Sequence, residues 1–279
     1  MTTTLSREIH PDRVTPTRAI RVTQGRVLLS EWTKFRSLRS TVWTLLIAVL
    51  LTVGLGALFS AVADSQYHTF SAVERLTFNP ISTSLSGIQF AQLAVGVLGV
   101  LLMSGEYTTG MIRSSLTAVP QRLPVLWAKL GVFAAFTFAV TLVASVVSFF
   151  VGQALLKSHH LSVTISSPGA LRDVVGAALY ITTAGVIGVA LGALLRNTAA
   201  GISTFVVAFF VVTPIAELLP SSWRSHFAQY LPSNAGASLY GGTHNLAHAL
   251  SPWTGFAVLL SYAVVLVGAA AWRLKRADA

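Results

Sequence analysis

The chain has 279 residues, of which 53% are hydrophobic and 10% are charged, and its formal net charge is +10. Because a soluble globular domain has about 25% charged residues, this composition excludes an ordinary water-soluble domain and indicates a surface that largely faces lipid. The chain has no cysteine, which excludes structural disulfides, thiolate metal sites and cysteine nucleophiles.

The first 40 residues are predicted to form a cytoplasmic N-terminal arm. Residues 1–18 are polar, contain Pro11 and Pro16, and are expected to be disordered. Between Arg26 and Arg39 the apolar residues fall near helical spacing among basic ones, which predicts an amphipathic helix lying in the membrane interface. The alternative is a basic anchor that only orients the first span. A cleavable signal peptide is not expected, because the apolar segment that follows exceeds the usual length of about 7–15 residues.

Six apolar segments reach or approach the length needed to cross a bilayer. A spanning helix needs about 20 apolar residues for about 30 Å of hydrocarbon. The runs are continuous rather than alternating, which argues against barrel strands. The sequence therefore predicts an all-α polytopic membrane protein with one six-helix domain over residues 41–279. Its predicted spans are residues 42–63, 88–104, 130–156, 173–195, 198–219 and 252–272.

The basic residues are unevenly distributed between the predicted loops. Most precede the first span, lie in the loop between the second and third spans, or follow the sixth span. The positive-inside rule then places both termini in the cytoplasm of a cell-membrane protein. We assign the positive charge to orientation and anionic headgroups, rather than to nucleic acid. The longest external segment, residues 220–251, is expected to form short helices in the outer leaflet.

The sequence lacks the motifs of nucleotide hydrolysis and of common hydrolases. It has no phosphate-binding loop, no Gly-x-Gly-x-x-Gly and no Gly-x-Ser-x-Gly. His244 and His248 have the spacing of a zinc pair, but Asn245 stands where a metalloprotease has its Glu. We therefore expect no metal, no cofactor and no catalytic site in this chain.

Polar side chains within the predicted spans have two interpretations. Gln89 and Gln92 on the second span, and Tyr180 and Thr183 on the fourth, are candidates for lining a translocation path. Alternatively, they form interhelical hydrogen bonds worth about 0.6–2 kcal/mol each. Ionisable residues are almost absent from the deep interior, which argues against a proton-coupled carrier, with Glu217 the one near candidate.

Small residues on the fourth span predict a site of close helix packing. Gly188 and Gly192 form a Gly-x-x-x-Gly pattern, which Gly185 extends by about one turn. Small residues at this spacing allow the backbones of two membrane helices to approach closely.

The stretch 105–122, GEYTTGMIRSSLTAVPQR, is a polar and basic segment between two spans. Gly110 interrupts a helix that can resume over residues 111–116, and Pro120 ends it. Either this is a short helix that docks in a groove of another protein, or it is an ordinary loop that obeys the positive-inside rule. Glu106 is expected to pair with Arg113 or with a basic group of a partner.

Three stretches stand out in the context of six spans in this order: residues 30–46 (SEWTKFRSLRSTVWTLL), residues 105–122, and residues 231–237 (LPSNAGA). Together with the order of the spans, they resemble the permease subunits of type 2 ABC transporters, especially those of actinobacteria. These exporters have six-helix half-transporters. The resemblance implies a separate ATPase subunit on the cytoplasmic side. It also implies a second permease chain, in a homodimer or a heterodimer, with the path between the two.

The resemblance also implies roles for two sets of residues. Coupling to the ATPase would involve Glu106, Tyr107, Gly110, Ile112, Arg113 and Leu116. A connecting helix packed nearby would include Glu31, Trp32, Lys34, Phe35 and Arg36. Two alternatives to an ATP-driven exporter remain: a gradient-driven secondary carrier, and an integral-membrane hydrolase for which no polar catalytic set is found.

Overall fold

A computed structural model of the chain describes residues 24–110, 122–159, 161–241 and 249–276. These residues form helices joined by turns and short loops, and they include no strand. Six of their helices are long and apolar enough to cross a membrane. For these residues, the predictions of an all-α fold and of six helices able to span a membrane are therefore confirmed. The predictions for residues 1–18, Ile112, Arg113, Leu116, His244 and His248 fall outside the described residues.

The N-terminal half contains the amphipathic helix and the first two spans. Helix α1 covers Gln24–Ser37, and α2 covers Arg39–Gln66. Two short helices follow, α3 (Ala72–Thr77) and α4 (Pro80–Ser84), between the first two predicted spans. Their caps account for them. Ser71 and Glu74 form a capping box at α3, and the Asn79 side chain accepts two backbone N–H bonds at the start of α4.

The remaining spans are longer than predicted at several ends. Helix α5 covers Ile88–Thr108, α6 covers Arg122–Leu155, and α7 covers Ala170–Leu195. Helix α5 continues past the predicted end at Ser104, because the polar residues that follow are compatible with a helix until Gly110, whose φ is +72°. Helix α6 begins eight residues before the predicted start of the third span.

The C-terminal half holds one interrupted span and one continuous span. The fifth span, α8, covers Thr198–Glu217 and contains a π-helical segment at Val207–Val211. Pro214 follows this segment and has no N–H to donate to the preceding turn, which accounts for the local widening. Short helices α9 (Ser221–Phe227) and α10 (Pro232–Ala237) precede the last span, α11 (Pro252–Arg276).

Helix α7 lies at the centre of the bundle, against α5, α6, α8 and α11. Its backbone touches that of α5 along the glycine face. A Cβ added at Gly188 would overlap the carbonyl oxygen of Gly96, and one added at Gly99 would overlap the carbonyl oxygen of Gly185. A Cβ at Gly192 would lie 2.6 Å from the carbonyl oxygen of Val100. The two helices are therefore in contact through their backbones, which sets the position of α5 in the bundle.

Candidate functional site

Helix α1 packs against α6 at the end of the bundle where α5 ends and α6 begins. Phe35 is 3% exposed, and its ring meets the edges of Phe133 and Phe136 with centroids 6.0 and 5.4 Å apart. The ring of Trp32 contacts Phe136 in the same edge-on geometry at 5.6 Å. Residues four apart share a helix face, so the face of α1 that holds Phe35 also places Glu31 against α6, at what is called here the α1 junction. This face therefore brings both aromatic rings and a carboxylate against α6.

A buried ion network joins α1, α5 and α6 at this junction. Lys129 of α6 is 3% exposed, and its Nζ donates to Glu31 Oε2 and to Glu106 Oε1, both at 2.8 Å. Glu31 lies on α1 and Glu106 on the last turn of α5. Lys34 Nζ donates to Glu31 Oε1 at 2.8 Å and lies 3.8 Å from Glu106 Oε1. Two ammonium groups thus face two carboxylates, and the network as a whole has no net charge.

The environment of Glu31 shifts its titration. Burial by itself would raise the pKa of Glu31, but attraction and hydrogen bonding by Lys129, together with Lys34, outweigh burial and hold that pKa below its ordinary value of 4.5. Because the pKa is lower in the folded state, the ionised carboxylate stabilises the fold at neutral pH. This contribution is lost as the pH falls through the folded pKa.

We expect Glu31→Gln to lower the unfolding temperature at pH 7. On acidification, the unfolding temperature of this variant should also fall less than that of the wild type. Protonation of Glu31 removes the same ion pair in the wild type, so the two proteins should converge as the pH falls through the lowered pKa of the folded state. Thermal unfolding in detergent between pH 7 and pH 3 measures this. Glu217→Gln, at an exposed carboxylate on α8, should keep the wild-type profile. A constant difference between wild type and Glu31→Gln at all pH values would contradict the assignment.

The last turn of α5 is also held to the turn between α7 and α8. The guanidinium of Arg196 lies over the ring of Tyr107, 5.0 Å from its centroid. The hydroxyl groups of Ser104 and Thr198 are 2.9 Å apart. Arg196 has a φ of +52°, and the Asn197 side chain then caps α8 by accepting from the backbone N–H of Ala200. Helix α5 is thus fixed on two sides just before Gly110.

A cavity of about 360 Å³ lies between α1, α5 and the start of α6. Its walls are largely apolar, and the charged network forms one side. The residues that line it include Lys34, Phe35, Leu38, Leu101, Leu102, Gly105, Glu106, Thr109 and Val132. The cavity therefore joins the residues predicted for the connecting helix to the first residues predicted for coupling.

The polar residues predicted as path candidates lie away from this end of the bundle, with Gln89 and Gln92 in the first turns of α5 and Tyr180 and Thr183 in the middle of α7. Tyr180 is fully buried on α7 and its hydroxyl donates to Gln92 Oε1 on α5. Gln92 Nε2 donates to Gln89 Oε1 at 3.0 Å, and Gln89 is exposed on the outer face of α5. Thr183 donates to the backbone carbonyl of Leu179. A hydrogen-bonded series thus runs from the surface of α5 to the core.

The structure gives Glu106 a partner that the sequence did not indicate. Glu106 pairs with Lys129, and its expected pairing with Arg113 falls outside the described residues. Lys129 directly precedes the predicted start of the third span at residue 130, and it is buried within α6. The sequence feature that could have indicated this burial is the position of Lys129, two residues after Trp127, on a helix that continues into an apolar run. Arg36 is exposed on α1 and takes no part in the network.

No known family model and no curated protein matches this chain. In the part of the chain that the structure describes, no group of three or more His, Asp or Glu side chains lies close enough to hold a metal ion.

Proposed function

We propose that this chain is the permease subunit of an ATP-driven ABC exporter, which spans the membrane and is powered by a separate ATPase subunit. The ATPase would dock on the cytoplasmic side, against the loop that follows α5. Two permease chains would form the translocation path between them. The cell membrane is the proposed location, with both termini in the cytoplasm.

The observation that supports this proposal most directly is the ion network between α1, α5 and α6. It holds the amphipathic helix against the two spans that carry the loop 110–121, and the contacts of Tyr107 and Ser104 extend the same attachment to the α7–α8 turn. A force applied to that loop would therefore move several helices together. An exporter needs such a connection, because its energy source is in another subunit.

The charge distribution supports the proposed orientation. The α1 end of the bundle carries basic residues from four separate elements: Arg36 on α1, Lys129 on α6, Arg196 after α7, and Arg273 on α11. Cytoplasmic loops of membrane proteins are enriched in Lys and Arg. If this end is cytoplasmic, an even number of spans would place both termini in the cytoplasm.

Exposed polar residues on two spans support a second permease chain. Gln89 on α5, with Ser203 and Thr204 on α8, is exposed at the surface of this single chain. Polar side chains are costly against hydrocarbon, unless they face a neighbouring protein or water. A partner chain that covers these faces, with a path between the two chains, would remove that cost. Among the residues predicted to line the path, Gln89 would then be the most accessible from the space between the two chains.

The proposal can be tested with the protein purified alone and with its complex from native membranes. The chain alone should show no ATP hydrolysis, since it has no phosphate-binding loop. The complex should contain a chain that has such a loop and should hydrolyse ATP. Export in vesicles should require ATP and should continue when a protonophore removes the ion gradient. Hydrolysis by the purified chain alone, or export driven by a gradient without ATP, would refute the proposal.

Replacing Arg113 with alanine should reduce stimulation of the partner ATPase about fivefold or more, which is the range of a typical coupling energy. The resemblance places this residue in the coupling segment, where loss of its guanidinium would weaken docking. The measurement compares ATPase rates of reconstituted complexes with equal amounts of inserted permease. Arg75→Ala, on α3 at the opposite end of the bundle, is the matched control. Full stimulation with Arg113→Ala would exclude this residue from docking.

The two alternative functions have less support from the structure. Glu217 lies exposed near the end of α8 and not in the interior, so it provides no buried relay for a gradient-driven carrier. The described buried residues contain no nucleophile–base pair for a membrane hydrolase. Their buried charges are those of the lysine–glutamate network and Asp173, which is paired with Arg172.

A further inference from the structure

The first turn of α5 lies deep within the bundle, although it follows a segment on the outer side. A Cβ added at Gly87, just before α5, would lie 2.4 Å from the carbonyl oxygen of Leu51, which is near the centre of α2. Helix α2 has 28 residues, so its centre lies about 20 Å from either end. In a bilayer, Gln89 in the first turn of α5 would therefore lie close to the middle of the hydrocarbon layer.

The register between α5 and α7 gives the same depth for Gln89. A Cβ at Gly188 would overlap the backbone of Gly96, and one at Gly192 would overlap that of Val100, so the two helices run parallel. In this register Gln89 is level with residue 181 of α7. That residue lies about 16 Å from the first residue of α7, which is about half of a hydrocarbon layer of about 30 Å.

The hydrogen bonds that begin at Tyr180 determine which atoms Gln89 presents outward. Tyr180 is fully buried, and within the described chain Gln92 is the one hydrogen-bond partner of its hydroxyl, which donates to Gln92 Oε1. The amide nitrogen of Gln92 then donates to Gln89 Oε1 at 3.0 Å. The carbonyl oxygen of Gln89 thus accepts from the inner side. Its Nε2 has no acceptor among the described residues, so Gln89 offers two N–H donors at the exposed surface of α5.

The surroundings of this amide are uncharged and apolar. The backbone N–H groups of Ile88, Gln89 and Phe90 already donate to the preceding turn, so the start of α5 has no free donors for an anion. The charged residues that the structure describes in the six spans lie within about two turns of a helix end. Phe90 and Leu93 are exposed beside Gln89. The amide is therefore a neutral donor on an apolar surface.

From this arrangement we propose that Gln89 binds the exported molecule through an uncharged hydrogen-bond acceptor, such as a carbonyl or ether oxygen, on an otherwise apolar compound. Hydrocarbon offers no acceptor to the amide, so an unpaired Gln89 is costly at this depth. A compound of this class pairs with the amide, and its apolar surface contacts Phe90 and Leu93. That the compound is exported rests on the proposed function, whereas its binding requires no ATPase.

Three tricyclic probes of nearly equal shape test this selection. Fluorenone carries a ketone acceptor, carbazole carries an N–H donor, and fluorene carries neither. Each radiolabelled probe is titrated onto the purified chain in bead-bound nanodiscs and measured by scintillation proximity, and protein-free nanodiscs give the partition into lipid. The wild type should bind fluorenone about tenfold more tightly than fluorene, which is the effect of one hydrogen bond. It should bind carbazole no more tightly than fluorene.

Three variants assign this preference to Gln89 and to the series behind it. Gln89→Leu should bind fluorenone and fluorene equally, with its affinity for fluorene unchanged. Gln66→Leu, the same substitution at an exposed glutamine that ends α2, should keep the tenfold preference. Tyr180→Phe removes the hydroxyl that orients both amides, so it should lower the preference for fluorenone and raise the affinity for carbazole above that for fluorene. A merely structural role of Tyr180 would change all three affinities alike.

Thermal unfolding in the same nanodiscs establishes that each variant is folded, and Gln89→Met replaces Gln89→Leu if the latter is not. Equal affinity of the wild type for fluorenone and fluorene would overturn the proposal. A tenfold preference that persists in Gln89→Leu would overturn it too, as would loss of a dimer in that variant with unchanged probe binding, because Gln89 would then pair with a second copy of the chain. None of these measurements uses ATP, so they remain valid if ATP-driven export is refuted, and their failure leaves ATP-driven export untouched.

Discussion

Replacing Lys129 with methionine is expected to destabilise the protein by about 3–5 kcal/mol, because it leaves two buried carboxylates without their main cation. Methionine preserves most of the volume of the side chain, so the effect would come mainly from charge and lost hydrogen bonds. Glu31 and Glu106 are 5% and 8% exposed, and neither can recover full hydration while α1 remains packed. We therefore expect α1 to separate from α6 before the rest of the bundle unfolds.

Unfolding in mixed micelles of detergent and SDS gives the stability of the variant. Lys157→Met, at an exposed lysine beyond the other end of α6, is the matched control and should change stability by less than about 0.5 kcal/mol. Adding Glu31→Gln and Glu106→Gln to Lys129→Met should restore part of the stability, since the buried charges are then removed together. If Lys129→Met unfolds at the wild-type midpoint, the network does not hold the junction together.

Replacing Gly188 with leucine is expected to cost about 3 kcal/mol or more, because α5 and α7 touch through their backbones there. The new Cβ would overlap the carbonyl oxygen of Gly96, which cannot rotate away as a side chain can. The helices must separate, and this also disturbs the buried contact between Gln92 and Tyr180. A second expected consequence is faster proteolysis, since the central pair of helices would be loosened.

Gly54→Leu provides the control for this substitution. Gly54 also lies within a spanning helix, but a Cβ added there meets no atom within 4 Å. This variant should be neutral or slightly stabilising, since glycine costs a helix about 1 kcal/mol relative to alanine. Stability of both variants can be compared in the same micelle titration. Equal stability of Gly188→Leu and Gly54→Leu would contradict the close contact between α5 and α7.

The elements that could be predicted from the sequence are those specified by local pattern. Continuous apolar length gave the spans, and helical spacing around Trp32 and Phe35 predicted α1. The glycines of α7 indicated close packing, but the sequence did not identify the partner helix. That partner is α5, where Gly96 and Gly99 face them. Two complementary glycine faces become recognisable only when the order of helices in the bundle is known.

The junction was less predictable because its contacts are distant in sequence. Lys129 is 98 residues from Glu31 and 23 residues from Glu106. Sequence rules treat a charged residue near the end of a span as part of the loop that sets the orientation of the protein. They cannot distinguish a solvated lysine from one enclosed by two glutamates. The sequence therefore offered Glu106 two partners, Arg113 or a basic group of another chain, and tertiary packing brings Lys129 to it.

The order of the charges along the chain has a consequence for assembly. Glu31 and Glu106 precede Lys129, so a growing chain that contains α1 and the first two spans already holds both acidic members of the network. The cation that lies between the two carboxylates is added only with the third span. The attachment of α1 to the membrane domain is thus completed late, and α1 cannot take its final position until α6 has been made.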